Sequence, residues 1–295
     1  MTQTEPWTVG RLLAWTVDYL EQHGGESPRL DAEVLLAEAR GCDRIDLYTA
    51  FNETTDDRTR TAFRELVRRR AEGAPVAYLV GRREFYSLSF RVTPDVLIPR
   101  PETELVVVAL LDLVKASGSS ASVAIADVGT GSGAIAVAVA KHCQACQITA
   151  IDVSQRALDV ATRNVADHGV ADRVELALGN LLADLPADHR FNYIVSNPPY
   201  VTTAEWETLA REVKDHEPQT ALVAGPRGTE VIEPLVAQAA ERLRPGGWLI
   251  IELSPMIVEA VEKILAADGR FSQITILKDI AGLPRVVQAQ RENTA

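Results

Sequence analysis

Asn197-Pro198-Pro199-Tyr200 follows a short apolar run, Tyr193-Ile194-Val195-Ser196, and so stands where a buried strand opens into a loop. Asn197 precedes a proline, whose ring disfavours the helical region and holds the residue extended. Pro198 and Pro199 have fixed φ and no backbone N–H, so the turn presents carbonyl acceptors and few donors. Asn197 adds a side-chain carbonyl and Tyr200 a flat ring. A rigid lip of acceptors beside an aromatic wall suits a planar group bearing an NH2. The same four residues would also serve as a stiff turn that only ends a strand. What decides is whether a cofactor site lies beside them.

A second stretch supplies a candidate. An apolar strand runs directly into Asp127-Val128-Gly129-Thr130-Gly131-Ser132-Gly133-Ala134-Ile135. Alternate glycines allow a tight turn and close approach to a ligand, and the following helix points its first N–H groups at it. Gly129, Gly131 and Ala134 satisfy the dinucleotide fingerprint, with Asp152 at the spacing of a ribose-binding acid, so an NAD-dependent oxidoreductase is a rival reading. Asp127 before the loop and Gly133 within it instead give D-x-G-x-G-x-G, the form seen in S-adenosylmethionine-dependent methyltransferases, where the loop wraps the amino-acid end of the cofactor. Asp152 can take both ribose hydroxyls in either case. Asn180 is expected at the adenine edge and Leu181 on the adenine face, with a turn cap as the plain alternative for Asn180. The expected cofactor contacts are therefore Gly129, Thr130, Gly131, Ser132, Gly133, Asp152, Asn180, Leu181 and Asn197.

These residues need a frame. From residue 104 onward apolar strands at 123–126, 148–151, 174–178, 193–195 and 248–252 alternate with helical patterns, the rhythm of a doubly wound α/β sheet. The last two strands, 274–277 and 286–289, are joined too closely for a parallel crossover and should pair antiparallel. In such a sheet the ligand crevice opens where strand order reverses, outside the carboxyl ends. Strands one and four should flank that point, bringing the glycine loop and Asn197 to one crevice. Residues 201–228 form a long polar segment that reads as a lid over a bound substrate.

The N-terminal part is different. Val9, Leu12, Leu13, Thr16 and Leu20 have helical spacing, stopped by Gly24-Gly25; a second helix follows Ser27-Pro28, and a third, capped by Thr54 or Thr55, runs to Arg70. Domain boundaries are expected at 1–75 for a small all-helical domain, 76–100 for a hairpin linker and 101–295 for the catalytic domain. Arg58, Arg60, Arg64, Arg68, Arg69 and Arg70 crowd the third helix, either as a solvated face or as a docking surface. Leu97 to Glu104, with prolines flanking Arg100, reads as a stiff linker that also walls the site.

Composition narrows the class. In 295 residues, hydrophobic content of 46% with 24% charged is ordinary for a globular chain, so a core forms without staples. A net charge of −11 argues against stable binding of long nucleic acid, which needs a basic face. No apolar run is long enough to span a membrane. Met1-Thr2-Gln3-Thr4-Glu5 has no basic-then-apolar pattern, so no secretory signal is expected. An odd count of three cysteines argues against a disulfide framework, and cytoplasmic is the default. His142-Cys143-Gln144-Ala145-Cys146 offers half a zinc site with no second pair, so a helix-to-strand connection is expected there and no metal.

The chain resembles the protein-(glutamine-N5) methyltransferases of the HemK (PrmC) type, which modify peptide chain release factors. The resemblance runs nearly end to end, through Ser27-Pro28-Arg29-Leu30-Asp31-Ala32-Glu33, residues 97–104, 127–135 and 197–200, Glu217-Pro218 with Ala221-Leu222, and 282–287. It departs at Asn180-Leu181, where the family often has Asp-Trp, and at Leu253-Ser254-Pro255, where a glycine-bearing turn is more usual. The resemblance implies a seven-stranded mixed sheet of the class I S-adenosylmethionine-dependent (Rossmann-like) type behind a helical release-factor-recognition domain. It implies methyl transfer from S-adenosyl-L-methionine, leaving S-adenosyl-L-homocysteine, to the glutamine of a Gly-Gly-Gln loop in the release factor. Asn197, Pro198 and Tyr200 would be catalytic, and Asn197, Pro198, Pro199 and Tyr200 would bind the substrate. A monomer is expected. The alternative is an N-methyltransferase acting on an exocyclic NH2 of DNA adenine or rRNA, because such enzymes share an Asn-Pro-Pro-aromatic motif. A non-catalytic binding module is the third reading.

Overall fold

A computed structural model describes residues 6–118 and 122–293, so residues 1–5, which were read for a leader, lie outside the described residues. The chain divides into two compact units, Met1–Arg82 with Ala210–His216, and Arg83–Leu209 with Glu217–Ala295.

The first unit is helical: α1 (Val9–Gln22), α2 (Pro28–Arg40), α3 (Arg44–Thr49), α4 (Asp57–Ala71) and α5 (Val76–Val80). Thr8 caps α1 by accepting the Arg11 N–H, and α2 begins on Pro28 and ends at Gly41 in the left-handed region. The helix α3 was not foreseen. It buries only Leu47, too little to make a period, and is held by a capping box between Asp43 and Asp46. The cap of α4 is Asp56, not Thr54 or Thr55: its carboxylate accepts the Thr59 N–H at 2.8 Å and the Thr59 hydroxyl at 2.9 Å. Thr55 is buried and donates its hydroxyl to the Trp7 carbonyl instead. Val9, Leu12, Leu13, Leu20, Leu35, Leu36, Leu47, Phe63 and Val67 form the core of this unit.

The arginine-rich helix α4 is in part structural. Arg70 Nε bonds Asp31 Oδ2 at 2.8 Å and its Nη1 bonds Glu212 Oε2 at 2.7 Å, with Arg70 and Asp31 both largely buried. Arg68 pairs with Glu65 and Glu72 on the exposed face. The Arg70–Glu212 bond ties Ala210–His216 to this unit, although those residues lie within the segment read as a lid.

The second unit opens on a hairpin, β1 (Arg82–Phe85) and β2 (Leu88–Arg91), whose Phe85 and Phe90 are buried. After Pro101–Thr103 in a single 3-10 turn come α6 (Glu104–Ala116), β3 (Val123–Val128), α7 (Ala134–His142), β4 (Cys146–Asp152), α8 (Gln155–Asp167), β5 (Val174–Leu178) and β6 (Phe191–Ser196). The chain continues through β7 (Val201–Thr202), α9 (Thr203–Trp206), α10 (Arg211–Lys214), β8 (Val223–Gly225), α11 (Ile232–Arg242), β9 (Leu243–Glu252), α12 (Val258–Asp268), β10 (Phe271–Lys278) and β11 (Pro284–Arg291). Residues 201–228 are therefore not a bare loop: β7 and β8 pair parallel across them.

Seven strands form one mixed sheet in the order β10-β11-β9-β6-β3-β4-β5. The pairings β6–β9, β3–β6, β3–β4 and β4–β5 are parallel, while β11 is antiparallel to both neighbours, as the short link before it requires. Strand β3 reads Val-Ala-Ile-Ala-Asp-Val because parallel strands with helices on both faces bury both sets of side chains. One apolar layer joins α6 and α7 to the hairpin; the other joins α11 and α12 to the opposite face. Strand order reverses between β3 and β6, the pair expected to flank the crevice.

At the turn from α7 into β4, Cys143 and Cys146 are joined by a disulfide, with Cα atoms 5.5 Å apart. The cysteine count gave no hint of it, and the connection expected there is cross-linked. Among the described residues no group of three or more His, Cys, Asp and Glu is arranged to hold a metal, and no helix is long and apolar enough to cross a membrane.

Candidate active site

A cavity of about 460 Å³ lies at the carboxyl ends of the central strands. Residues 128–132, 134 and 135 line it from β3 and α7, Asp152 from β4, residues 179–181 from β5, and Asn197 and Pro199 from β6. Residues 94–97 with Pro99, Arg100 and Thr103 close one side, and Pro218, Thr220 and Ala221 another.

The glycine turn is fixed from three directions. Gly129 and Thr130 donate their N–H groups to the Ile151 carbonyl at 2.8 and 2.9 Å, pinning the turn to β4. Asp127, fully buried, accepts the Thr130 hydroxyl at 2.6 Å and the Ala136 N–H at 3.1 Å, so one carboxylate holds both the loop and the first turn of α7. Burial pushes Asp127 up to about 7. Asn164 of α8, also buried, donates to the Ser132 carbonyl at 2.8 Å. Gly133 caps α7 at φ +79°, where a Cβ would stand 3.3 Å from the Cβ of Ala161. Gly131, at φ +55°, has open space where a Cβ would point.

Asp152 sits where strand alternation and the end of β4 put it. Its Oδ2 accepts the Gly131 N–H at 2.8 Å and its Oδ1 the Ser154 N–H at 2.9 Å, which leaves a second lone pair on each oxygen. Burial raises its pKa against these bonds. Asn180 and Leu181 also reach the cavity. Asn180 donates its backbone N–H to Asp184 at 2.8 Å, and Leu181 takes φ +55° while packing on the core.

Asn197 joins the two halves. Its carbonyl oxygen stands 4.0 Å from the position a Cβ at Gly129 would take, and the Ser196 hydroxyl donates to the Val128 carbonyl at 2.7 Å. Asn197 Nδ2 donates to the Thr103 hydroxyl oxygen at 3.0 Å, so Oδ1 is the end of the amide left to accept. Pro199 lines the cavity and Pro198 is buried. Tyr200, expected as a wall, is not among the lining residues. Its ring packs into the core and its hydroxyl donates to Glu252 Oε1 at 3.1 Å. Burial, then the neighbouring Glu252, raises the Tyr200 phenol.

Four residues have supporting roles that the sequence alone does not assign. Glu217, buried, accepts the Ile98 N–H at 3.2 Å and pairs with Arg100, clamping the wall at residues 97–100 to the loop that carries Pro218. Asn164, Thr103 and Glu252 are the others. Glu217 and Thr103 fall within the stretches that carry the family resemblance, Glu252 shows as a charge closing an otherwise apolar strand, and Asn164 left no signal. Thr103, Asp127, Ser132, Ser196, Glu217 and Glu252 are all buried near the carboxyl edge of the sheet, where a purely structural core would be apolar.

The sheet order, the glycine turn and the acceptor turn on the adjoining strand define an S-adenosylmethionine-dependent methyltransferase of Rossmann-like fold. Residues 11–81 match the family model of the PrmC N-terminal domain, and residues 107–216 that of the methyltransferase small domain. The chain belongs to the release factor glutamine methyltransferase family. It is 50% identical over 287 residues to the release factor glutamine methyltransferase of Rhodopirellula baltica, covering 97% of each chain. Identity to the enzyme of the same name from Geobacter sulfurreducens is 41% over 293 residues, 96% of each. The hMettl16 catalytic domain, solved in complex with the MAT2A 3'UTR hairpin 6, aligns with a TM-score of 0.56 at 17% identity over 78% of this chain and 83% of that one, a likeness of fold alone.

Proposed function

We propose that this chain methylates the side-chain amide nitrogen of the glutamine in the Gly-Gly-Gln loop of peptide chain release factors, using S-adenosyl-L-methionine and no metal. The carrying observation is Asn197 beside Gly129 in one cavity, with its Nδ2 engaged by Thr103 and its Oδ1 left to accept.

The cavity fits the cofactor. Gly131 leaves room at the turn, the N-terminus of α7 faces in, and Asp152 keeps acceptor capacity for two ribose hydroxyls. Gly129, Thr130, Gly131, Ser132 and Gly133 would hold its amino-acid end, with Asn197 at the junction, and Asn180 and Leu181 its adenine. Bound there, S-adenosyl-L-methionine supplies a methyl group on a sulfonium centre.

The chain's own task is to prepare a poor nucleophile. An amide nitrogen is weak because its lone pair is delocalised into the carbonyl. Asn197 Oδ1 and the Pro198 carbonyl accept the two amide hydrogens and aim the nitrogen at the donor. Fixed acceptors beside a nitrogen that gains positive charge stabilise the transition state, and alignment supplies the other large contribution. No strong base is required, since the cationic nitrogen loses its proton readily. Tyr200 acts from behind the cavity wall, through its place in the core.

We place the enzyme in the cytoplasm as a monomer that meets release factors through its helical N-terminal unit, with site and domain boundaries near 1–75, 76–100 and 101–295. Radiolabelled S-adenosylmethionine offered with release factor, duplex DNA and rRNA in parallel tests the substrate. Label on release factor alone is expected; label on nucleic acid alone would overturn the reading.

A further inference from the structure

Charge is sparse in the cavity. Among its described lining residues the cations are Arg100 and Arg156, and the acids are Asp95 and Asp152. Arg156 stands in the first turn of α8 with its side chain 83% exposed, loosely paired with Asp95 at 3.7 Å. Arg100 is held differently. Its Nη2 donates to Glu217 Oε1, and that carboxylate, with 1% of its side chain exposed, is fixed in turn by the Ile98 N–H at Oε2. A guanidinium carries several N–H donors, and Glu217 engages one nitrogen of a residue that lines the cavity.

Position along the cavity separates the two arginines. S-adenosyl-L-methionine is a chain of adenine, ribose, sulfonium and amino acid. With adenine at residues 179–181 and ribose at Asp152, as proposed above, its amino-acid end runs past the glycine turn toward Asn197. Arg100 marks that end. Thr103 donates its N–H to the Arg100 carbonyl at 3.1 Å, and its hydroxyl oxygen accepts from Asn197 Nδ2 at 3.0 Å, so one 3-10 turn sets Arg100 beside the acceptor motif. Arg156 lies at the ribose instead, next to the Ser154 whose N–H bonds Asp152.

The glycine turn has few N–H groups left for the carboxylate of that amino acid. Gly129 and Thr130 donate to Ile151, Gly131 to Asp152 and Gly133 to Thr130, and the Ala136 N–H goes to Asp127. A carboxylate drawn from water into a cavity must be paired or hydrogen-bonded. A planar guanidinium meets both of its oxygens at once.

We propose that Arg100, oriented by the buried Glu217, binds the α-carboxylate of S-adenosyl-L-methionine and so selects cofactors that carry it. The inference rests on the cofactor reading above. It gives Arg100 a second task besides holding residues 97–100 to the loop that carries Pro218.

Two ligands separate those tasks. S-adenosyl-L-methionine and its decarboxylated form share adenine, ribose, sulfonium and amine, and differ in the carboxylate alone. Calorimetric titration of each into the full chain is compared with Arg100→Met, and with Arg100→Met combined with Glu217→Gln. In the combined variant no buried charge is stranded, and the glutamine oxygen still accepts from Ile98. Wild type should prefer S-adenosyl-L-methionine by about 10–100-fold, the range expected for hydrogen bonds to a charged group, and both variants should lose about that factor for it. The two ligands should then bind the variants about equally. An arginine that only clamps the wall would weaken both ligands alike and keep the wild-type preference. That result, or a wild type with no preference, would overturn the proposal, and the combined variant decides if Arg100→Met does not fold. A wild type that binds neither ligand would refute the cofactor reading itself.

Discussion

Asp152 Oδ2 accepts the backbone N–H of Gly131 at 2.8 Å, a bond that fixes the glycine turn after β3 against the end of β4. The carboxylate thus shapes the turn and faces the same cavity that the turn lines. Asp152→Ala should weaken cofactor binding by about 10–100-fold, the worth of hydrogen bonds to a charged group, while leaving the fold intact. Calorimetric titration with S-adenosylmethionine checks this. An unchanged affinity would remove Asp152 from the cofactor site.

Gly133 is the glycine whose conformation the turn cannot give up. At φ +79°, with Ala161 3.3 Å from a modest Cβ, Gly133→Ala combines backbone strain with a tight contact. A stability loss of about 1–2 kcal/mol is expected in chemical denaturation, since a left-handed non-glycine residue costs about that much. Cofactor affinity should fall with it.

Asp127 makes stability depend on pH in a stated direction. Burial raises it from 3.8 to about 7, so the folded state holds a proton that the unfolded chain has released. Its contribution is therefore fully present below about 4 and is lost as pH rises toward 7. Asn at this position still accepts from Thr130 and Ala136 through its oxygen. The stability of Asp127→Asn relative to wild type should accordingly improve as pH goes from 4 to 7. Glu252, raised in the same way, contributes equally to both proteins in this comparison.

In the helical unit, the arginines of α4 should separate by burial. Arg70→Ala strands the buried Asp31 carboxylate and should cost about 3 kcal/mol. Replacing the exposed Arg64 by Ala should change stability by less than about 0.5 kcal/mol. Thermal melts of the two variants distinguish a structural arginine from a solvated one.

What the sequence made legible was whatever expressed itself locally. The parallel strands showed as short apolar runs because burial on both faces leaves no alternation, and the brief link through Gly282 and Pro284 sufficed to turn β11 antiparallel. The glycine turn and the Asn197 turn were visible as motifs, and strand order placed them together. Long-range satisfaction of buried polar groups was not visible. Thr103 and Asn197 are 94 residues apart, Tyr200 and Glu252 are 52 apart, and Ile98 finds Glu217 across 119; no spacing rule connects such pairs. Tyr200 was read as a wall because its ring was known and its hydroxyl partner was not. The cap of α4 moved from Thr55 to Asp56 because a bond from Thr55 to Trp7, 48 residues away, took the threonine hydroxyl.

Asn197→Ala, assayed for methyl transfer to release factor and separately for S-adenosylmethionine binding, tests the acceptor role at its root. Losing the Oδ1 acceptor removes transition-state stabilisation of the kind whose loss costs about 10²–10³-fold in kcat. The expected result is turnover reduced by at least that factor with cofactor affinity close to wild type. Turnover that survives the substitution would contradict the account.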